Sequence, residues 1–574
     1  MTPELPNSTP DKLGTPDPHP HRHESEGVKE TIESIVIALI LAFVFRAFVV
    51  EAFVIPTGSM APTLYGAHGT IVCEDCGTEF AYGLRDLDDQ RPMRLVSAAE
   101  AAVCPNCAHV NTDLPLSDHK RNAEKGDRIL VLKWPLDIGG KWLDPARWDV
   151  TVFKDPSDGA TNFIKRMVGL PNEVLMIVDG DVYTVPTGKL SPESLTELER
   201  LVHEKHEFIE GSRRGRLPSP SDSVLAELDS KLRITRKSSE AQRMLWFNVY
   251  NHDFPPRRLD ADQPRWAPAE GGNSGWSAPW RRLRFEDRGI YSDYLELKNA
   301  NFDAVVAYNV FERTAPPVSD QRVSFVVKPE APEGLLRVRL EKLGRAFLAN
   351  VRMDGTVSLL ESPAPPGNLK PINLSVTLPA FGVGEAVEVS FENVDYRLAV
   401  SVAGREVLVS SDDPNSPGYY APDVSALRKM YRPSVAVAPR IYGEQGRFEL
   451  SHVQVQRDEY YFTETRANVL PALSWAPREG WASRQSPMLL RDGEYFMLGD
   501  NTAASKDSRL WDVRGKHLIE RREAFQLGTV PRDQLIGKAF FVYWPSGQRL
   551  PWLPSVGAWH WPIVPDVGRM RWIR

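Results

Sequence analysis

Between Ile32 and Val50 the chain runs through 19 residues in which only Glu33, Ser34 and Arg46 are polar. As a helix that length spans roughly the 30 Å of a bilayer's hydrocarbon core. Glu33 and Arg46 would then sit toward the two interfaces, Arg46 reaching headgroups with its long side chain. Two other readings stand beside a transmembrane anchor. One is a cleaved signal peptide, but the basic region expected ahead of the apolar run is missing, since Lys12, Arg22 and Lys29 are outnumbered there by acidic residues. The other is a buried core helix. The stretch is read as an anchor, residues 31–50, and charge alone does not set its orientation. Residues 1–30 hold Pro3, Pro6, Pro10, Pro16, Pro18 and Pro20 among polar residues and read as a disordered tail. His19, His21 and His23 alternate there in a solvated segment.

The remaining chain is too long for one core. With 574 residues, three or so units are expected at roughly 100–200 residues each. A net charge of -7 gives no reason to expect a nucleic-acid partner. The 47 prolines and 15 tryptophans suit loop-rich β structure better than helical bundles. Only four cysteines occur, all between Cys73 and Cys107, which marks one local device.

Four blocks carry candidate chemistry. Val54-Ile-Pro-Thr-Gly-Ser-Met-Ala-Pro-Thr-Leu64 places Ser59 in a turn nine residues after Val50. Gly126-Asp-Arg-Ile-Leu-Val-Leu-Lys133 reads as a turn and strand. In Asn162-Phe-Ile-Lys-Arg-Met-Val-Gly-Leu-Pro-Asn-Glu173, Lys165 is flanked by Phe163, Ile164, Met167 and Val168, so partial desolvation is expected. The fourth block is Gly499-Asp-Asn-Thr-Ala-Ala-Ser-Lys-Asp-Ser-Arg509, followed by Trp511. A serine hydroxyl needs a base to become a nucleophile. A lysine serves only when neutral, and burial lowers its pKa. No histidine lies in any of the four blocks, which disfavours a histidine-based triad.

In this order the blocks resemble type I signal peptidases. Pro56-Thr-Gly-Ser-Met60 is similar to that family's nucleophile motif, Lys165-Arg166-Met-Val-Gly-Leu-Pro171 to its general-base strand, and Gly499-Asp-Asn…Ser505-x-Asp507-Ser-Arg509 to its last motif. Val530-Pro-Arg-Asp-Gln-Leu-Ile-Gly-Lys-Ala-Phe540 matches as well. One departure is Thr502-Ala503-Ala504, where the family usually has a charged stretch. The resemblance implies Ser59 as nucleophile and Lys165 as general base. It implies an oxyanion hole from the Ser59 N–H and the Thr57 hydroxyl, and Ser505 orienting the lysine amine. Asp507 and Arg509 would pair to hold the last motif, and Met60 and Arg166 would shape the site. It further implies hydrolysis of secretory preproteins after an Ala-x-Ala pattern, without a catalytic cofactor. The location implied is single-pass in the inner membrane, with the catalytic domain extracytoplasmic. Weaker alternatives are a tethered binding protein with a vestigial peptidase core and a self-cleaving repressor-type peptidase.

The expected fold is mainly β, with a signal-peptidase-type core in residues 51–72, 125–183 and 490–550. Residues 73–124 form an insert with Cys73-x-x-Cys76 and Cys104-x-x-Cys107, a spacing that fits a structural zinc ribbon, with disulfides as the alternative. Asp86, Asp88 and Asp89 make the intervening segment polar. Residues 184–489 form a second insert. Its part at about 190–243 reads as helix and loop, with Ser191-Pro192 as a helix start. Its part at about 245–460 reads as a β-sandwich: Val387, Val389 and Phe391 alternate with polar residues, as do Tyr396, Leu398, Val400 and Val402, while Asp354-Gly355 and Ala403-Gly404 look like hairpin turns. The stretch Val387…Leu408 is similar to concanavalin-like or laminin-G sandwiches, which implies a carbohydrate-binding, protein-contact or purely structural module, and no ligand-type constellation stands out in it. Residues 551–574 are expected to be a C-terminal tail.

Overall fold

The computed structural model describes residues 23–83, 102–112, 126–133, 145–210, 218–258, 264–268, 274–289, 293–304, 316–363, 371–430, 435–463, 480–513, 515–520, 526–548 and 564–573. The proline-rich start and Asp86, Asp88 and Asp89 lie outside these. Two compact units result, residues 1–51 and 52–574.

The first unit is a helix, His23–Phe48, longer at its start than the apolar run. Its apolar side chains, such as Ile35, Leu41 and Phe43, are exposed all round. A helix apolar on every face needs lipid or protein cover.

In the second unit the strand Asn162–Gly169 lies inside an eight-stranded sheet. The order is Val50–Val54, Arg128–Leu132, Leu535–Trp544, Val150–Lys154, Asn162–Gly169, Glu494–Leu498 and Val530–Pro531, with Arg571–Trp572 paired to Leu535–Trp544. Thus three separated stretches of sequence build one sheet. Every residue from Ile164 to Gly169 is buried, which a strand shows when both faces are covered. Part of the expected tail, residues 564–573, is described and is tied to the core. Trp572 pairs with Phe541, Ile573 is buried, and Arg569 reaches Asp127 at 3.2 Å. A second sheet of four strands, Arg233–Ile234, Asp181–Pro186, Glu173–Val178 and Met488–Leu490, lies between the core and the large insert.

The large insert begins with helices Pro192–Glu210, Asp222–Lys231 and Ser239–Met244. Ser191 caps the first: its Oγ accepts from the Ser194 N–H at 3.3 Å. Two antiparallel sheets follow. One runs Trp276–Ser277, Arg282–Glu286, Arg447–Arg457, Gln321–Pro329, Val387–Val394, Arg397–Val402 and Arg405–Val409, with Phe247–Asn251 also on Arg447–Arg457. The other runs Trp266–Pro268, Tyr294–Leu297, Arg440–Glu444, Leu335–Lys342, Arg345–Arg352, Thr356–Glu361 and Asn373–Thr377. Val323, Phe325 and Val327 from one sheet and Val338, Leu340 and Phe347 from the other share one core, as in a sandwich. Ala403 and Gly404 both take positive φ, the form a tight hairpin needs. Val400 and Val402 point inward, as the alternation requires.

Candidate active site

Asp127 shapes the turn that carries Ser59. Its backbone takes the Ile55 N–H and gives its own N–H to Tyr65 O, both at 2.9 Å. Its carboxylate accepts from the Tyr65 N–H at 2.9 Å. Residues 55 and 65 are thereby clamped on either side of the loop. Gly126 is required there, because a Cβ would lie 1.8 Å from Ile55 O. Within the clamp, Gly58–Met60 form one turn of 3₁₀ helix. Met60, fully buried among Ile55, Leu64, Ile129 and Val150, anchors the turn and leaves Ser59 at its edge.

The strand Asn162–Gly169 delivers Lys165 to that edge. Its Nζ donates to Ser59 Oγ at 2.6 Å and to Ile164 O at 3.1 Å. Lys165 is 5% exposed and Ser59 8%. Burial lowers the Lys165 pKa to about 8; Asp507 and Asp500 oppose the shift. The amine also stands 5.5 Å from the Phe163 ring centroid. An amine that is neutral near working pH, touching a hydroxyl, is able to take its proton.

The fourth block closes the site. Its Asn501 donates its N–H to Ser59 O at 3.1 Å and its Nδ2 to Gly58 O at 3.0 Å, so it straps the nucleophile turn. Gly499 permits this approach: a Cβ there would meet Ser505 Oγ at 2.2 Å and Ser59 O at 2.5 Å. Asp507 and Arg509 form the expected pair, Nε–Oδ1 2.8 Å and NH2–Oδ2 2.7 Å, and Asp507 also accepts the Gly499 N–H at 2.9 Å. Arg166 makes a second, wholly buried pair with Asp500, at 2.7 and 2.5 Å, and its NH1 donates to Trp148 O at 2.6 Å. The Arg166–Asp500 fork ties the two motifs together, and the Asp507–Arg509 pair braces the fourth block internally.

One expected detail reads differently. Ser505 is buried, yet its Oγ makes no hydrogen bond among the described residues, so no bond to the lysine amine is present. Thr57 is exposed, precedes the 3₁₀ turn, and its side chain does not cap it. Asp127, Asp500 and Asn501 stand inside the motifs, and their roles emerge only in the structure. Their partners stand far away in sequence, Arg166 and Asp500 by 334 positions, so spacing does not disclose the pairs.

The four cysteines lie apart from Ser59 in sequence and meet as two turns. In each, a backbone bond closes the knuckle, Gly77 N–H to Cys73 O at 2.9 Å and Ala108 N–H to Cys104 O at 3.0 Å, with positive φ at Gly77 and Ala108. All four thiols are buried and none is in a disulfide. Cys73–Cys107 and Cys76–Cys104 Sγ atoms are 3.6 Å apart, and all four lie within 4.8 Å of one another. A disulfide requires about 2.05 Å. Four sulfurs at about 2.3 Å from a central ion stand about 3.8 Å apart. The Asn106 N–H also points at Cys104 Sγ, at 3.4 Å, and Asn111 Nδ2 at Cys73 Sγ, at 3.8 Å. The donor set and spacing fit a tetrahedral thiophilic metal.

The site thus joins a buried lysine to the serine of a clamped turn within a mainly β core. Residues 28–88, 96–209 and 449–544 match the family described as signal peptidase, peptidase S26. The Signal peptidase I of Pseudomonas fluorescens is 32% identical over 143 residues, 25% of this chain and 32% of that protein. That of Rickettsia bellii (strain OSU 85-389) is 25% identical over 163 residues, 28% of this chain and 42% of that protein. The chain spans about a third of the length of the first of these relatives. The stretches that match the family are separated by residues 89–95 and 210–448. Among solved structures, carbohydrate binding module CBM66 from Bacillus subtilis aligns with 34% of this chain and 92% of its own, at 11% identity and a TM-score of 0.19, too low to carry an argument.

Proposed function

We propose that this chain is a membrane-anchored serine endopeptidase that removes N-terminal signal peptides from secretory preproteins. The observation that carries the reading is the 2.6 Å contact between buried Lys165 Nζ and Ser59 Oγ inside a type I signal peptidase region. Neutral Lys165 takes the proton from Ser59 Oγ as that oxygen attacks the scissile carbonyl. The resulting ammonium gives a proton to the departing amine, and a water then releases the acyl group with Lys165 again as base. The Ser59 N–H and the Thr57 hydroxyl stabilise the oxyanion. Exposure of Thr57 at the lip of the turn suits it to meet a substrate carbonyl.

Ser505 supports the lysine. Its buried, unpartnered hydroxyl is a spare acceptor close to Gly499, and an ammonium has three donors to place. Small pockets would admit Ala-x-Ala. The apolar helix anchors the chain in the inner membrane, with the catalytic unit on the extracytoplasmic face where preproteins emerge.

Cys73, Cys76, Cys104 and Cys107 hold one zinc ion in a closed shell. With four thiolates no position is left for water, so the ion stabilises and takes no part in hydrolysis. Purified protein mixed with a preprotein, alongside Ser59→Ala, tests the catalytic reading: site-specific cleavage after Ala-x-Ala by the parent and none by the variant supports it. No cleavage by the parent counts against it.

A further inference from the structure

The sandwich's longest strand, Arg447–Arg457, is followed by an irregular segment. The next residues run between the small sheet and the catalytic block, and nearly every one is tied. Asp458 accepts from Lys237 Nζ and Gln242 Nε2, at 2.6 and 2.7 Å. Tyr461 gives its N–H to Gly180 O at 3.2 Å, and Tyr460 packs against the bare Cα of Gly180. The intervening Glu459 and the following Phe462 turn the other way. Phe462 O accepts from Arg509 NH1 at 2.9 Å, and Glu459 Oε1 accepts from the Thr502 N–H at 3.1 Å.

The second of these contacts falls on a particular group. Thr502–Ala504 is a short 3₁₀ turn whose preceding residue is Asn501. A residue in that place ordinarily caps the turn with its own side chain. Asn501 supplies no such cap, and its Nδ2 donates to Gly58 O. The first N–H of the turn, that of Thr502, has no acceptor within the turn, and buried Glu459, on a different part of the chain, supplies one. The same turn ends at Ser505 and begins at the residue that straps Ser59. Burial, the largest influence on Glu459, raises its carboxyl pKa to about 8, with Arg457 opposing. An acceptor carbonyl oxygen, not a charge, is what the turn needs.

We infer that Glu459 is a positioning residue: it caps the Thr502–Ala504 turn from the sandwich's exit strand and so sets Asn501 and Ser505 against the Ser59–Lys165 pair. This rests on the proposed peptidase reading. It makes the segment that leaves the sandwich's last strand a support of the catalytic loop.

The test uses the full chain with Glu459→Ala and Glu459→Gln, a preprotein for kcat and KM, and backbone hydrogen exchange over residues 499–505. Glu459→Ala should exchange faster there and lose about 10- to 100-fold in kcat, as an ångström-scale misplacement does, with KM within about twofold. Glu459→Gln keeps an oxygen acceptor of the same reach, and should stay within about threefold of the parent in kcat with parental exchange. If Glu459→Ala does not fold, Glu459→Asp, one methylene short of the Thr502 N–H, takes its place with the same expectation. Parental exchange in the alanine variant overturns the inference. So does faster exchange with unchanged kcat, or a glutamine variant as impaired as the alanine one. If the parent itself cleaves no preprotein, the peptidase reading fails, and the exchange comparison still decides whether Glu459 holds the turn.

Discussion

At Lys165 the fold keeps an amine out of water beside a single hydroxyl, and the consequences belong to these two residues. Ser59→Ala should lower cleavage by about 10⁴-fold or more while leaving the unfolding temperature near the parent's. Preserved unfolding with preserved turnover would remove Ser59 from the mechanism. Lys165→Arg should be inactive, since a guanidinium does not give up its proton at working pH. Burial sets the lysine pKa near 8, and only the neutral form acts as base. The rate should therefore rise as pH climbs through about 8 and level off above it; a profile flat from pH 6 to 9 would exclude this base. Gly499→Ala is a sharper test of geometry than either. Its Cβ would press on Ser59 O, so a loss of roughly 100-fold in kcat and about 1–3 kcal/mol of stability is expected, read by kinetics and denaturant unfolding.

Among elements, the two cysteine turns are docked onto the start of the sandwich. The Asn251 N–H donates to Asn106 Oδ1 at 2.5 Å, Asn106 Nδ2 donates to Phe254 O at 2.7 Å, and Asp75 Oδ1 accepts from Arg257 and Arg258 N–H at 2.8 and 2.7 Å. If the four thiolates hold zinc, elemental analysis should find about one ion per chain, with four free thiols after denaturation. Cys104→Ser should lose the ion and unfold several degrees lower while keeping a measurable kcat. Fewer than four free thiols without metal would establish disulfides instead. The spacing of these cysteines was legible because both halves of each knuckle are local. The same holds for the Ser191 cap and the Ala403-Gly404 hairpin. What was not legible needs partners from distant chain: the Asp127 clamp on Ile55 and Tyr65, the Arg166–Asp500 fork, and the short pairing of Trp572 with Phe541 that turns an expected tail into a sheet edge. Two paired residues carry no periodicity to read.

For the molecule as a whole, one sheet is assembled from three separate stretches of sequence, and a complete sandwich is threaded between two of its strands. The motif order survives this because the insert leaves and re-enters through Glu173–Val178, Asp181–Pro186 and Met488–Leu490, which share one small sheet. The sandwich's two sheets supply most of their shared core, with Tyr183, Leu198 and Leu228 packed into it from outside, so residues about 245–460 expressed alone should still unfold cooperatively in denaturant; a broad, non-cooperative transition would show that the fold depends on those neighbours. The central claim is that this assembled core cleaves preproteins with Ser59 and Lys165. The direct measurement is purified full-length protein in detergent, incubated with a preprotein bearing an Ala-x-Ala site, with product mass read for the parent and for Ser59→Ala. Cleavage at the single bond after that site by the parent, and loss of it in the variant, is the predicted result; an intact preprotein with the parent, or equal cleavage by both, would contradict it.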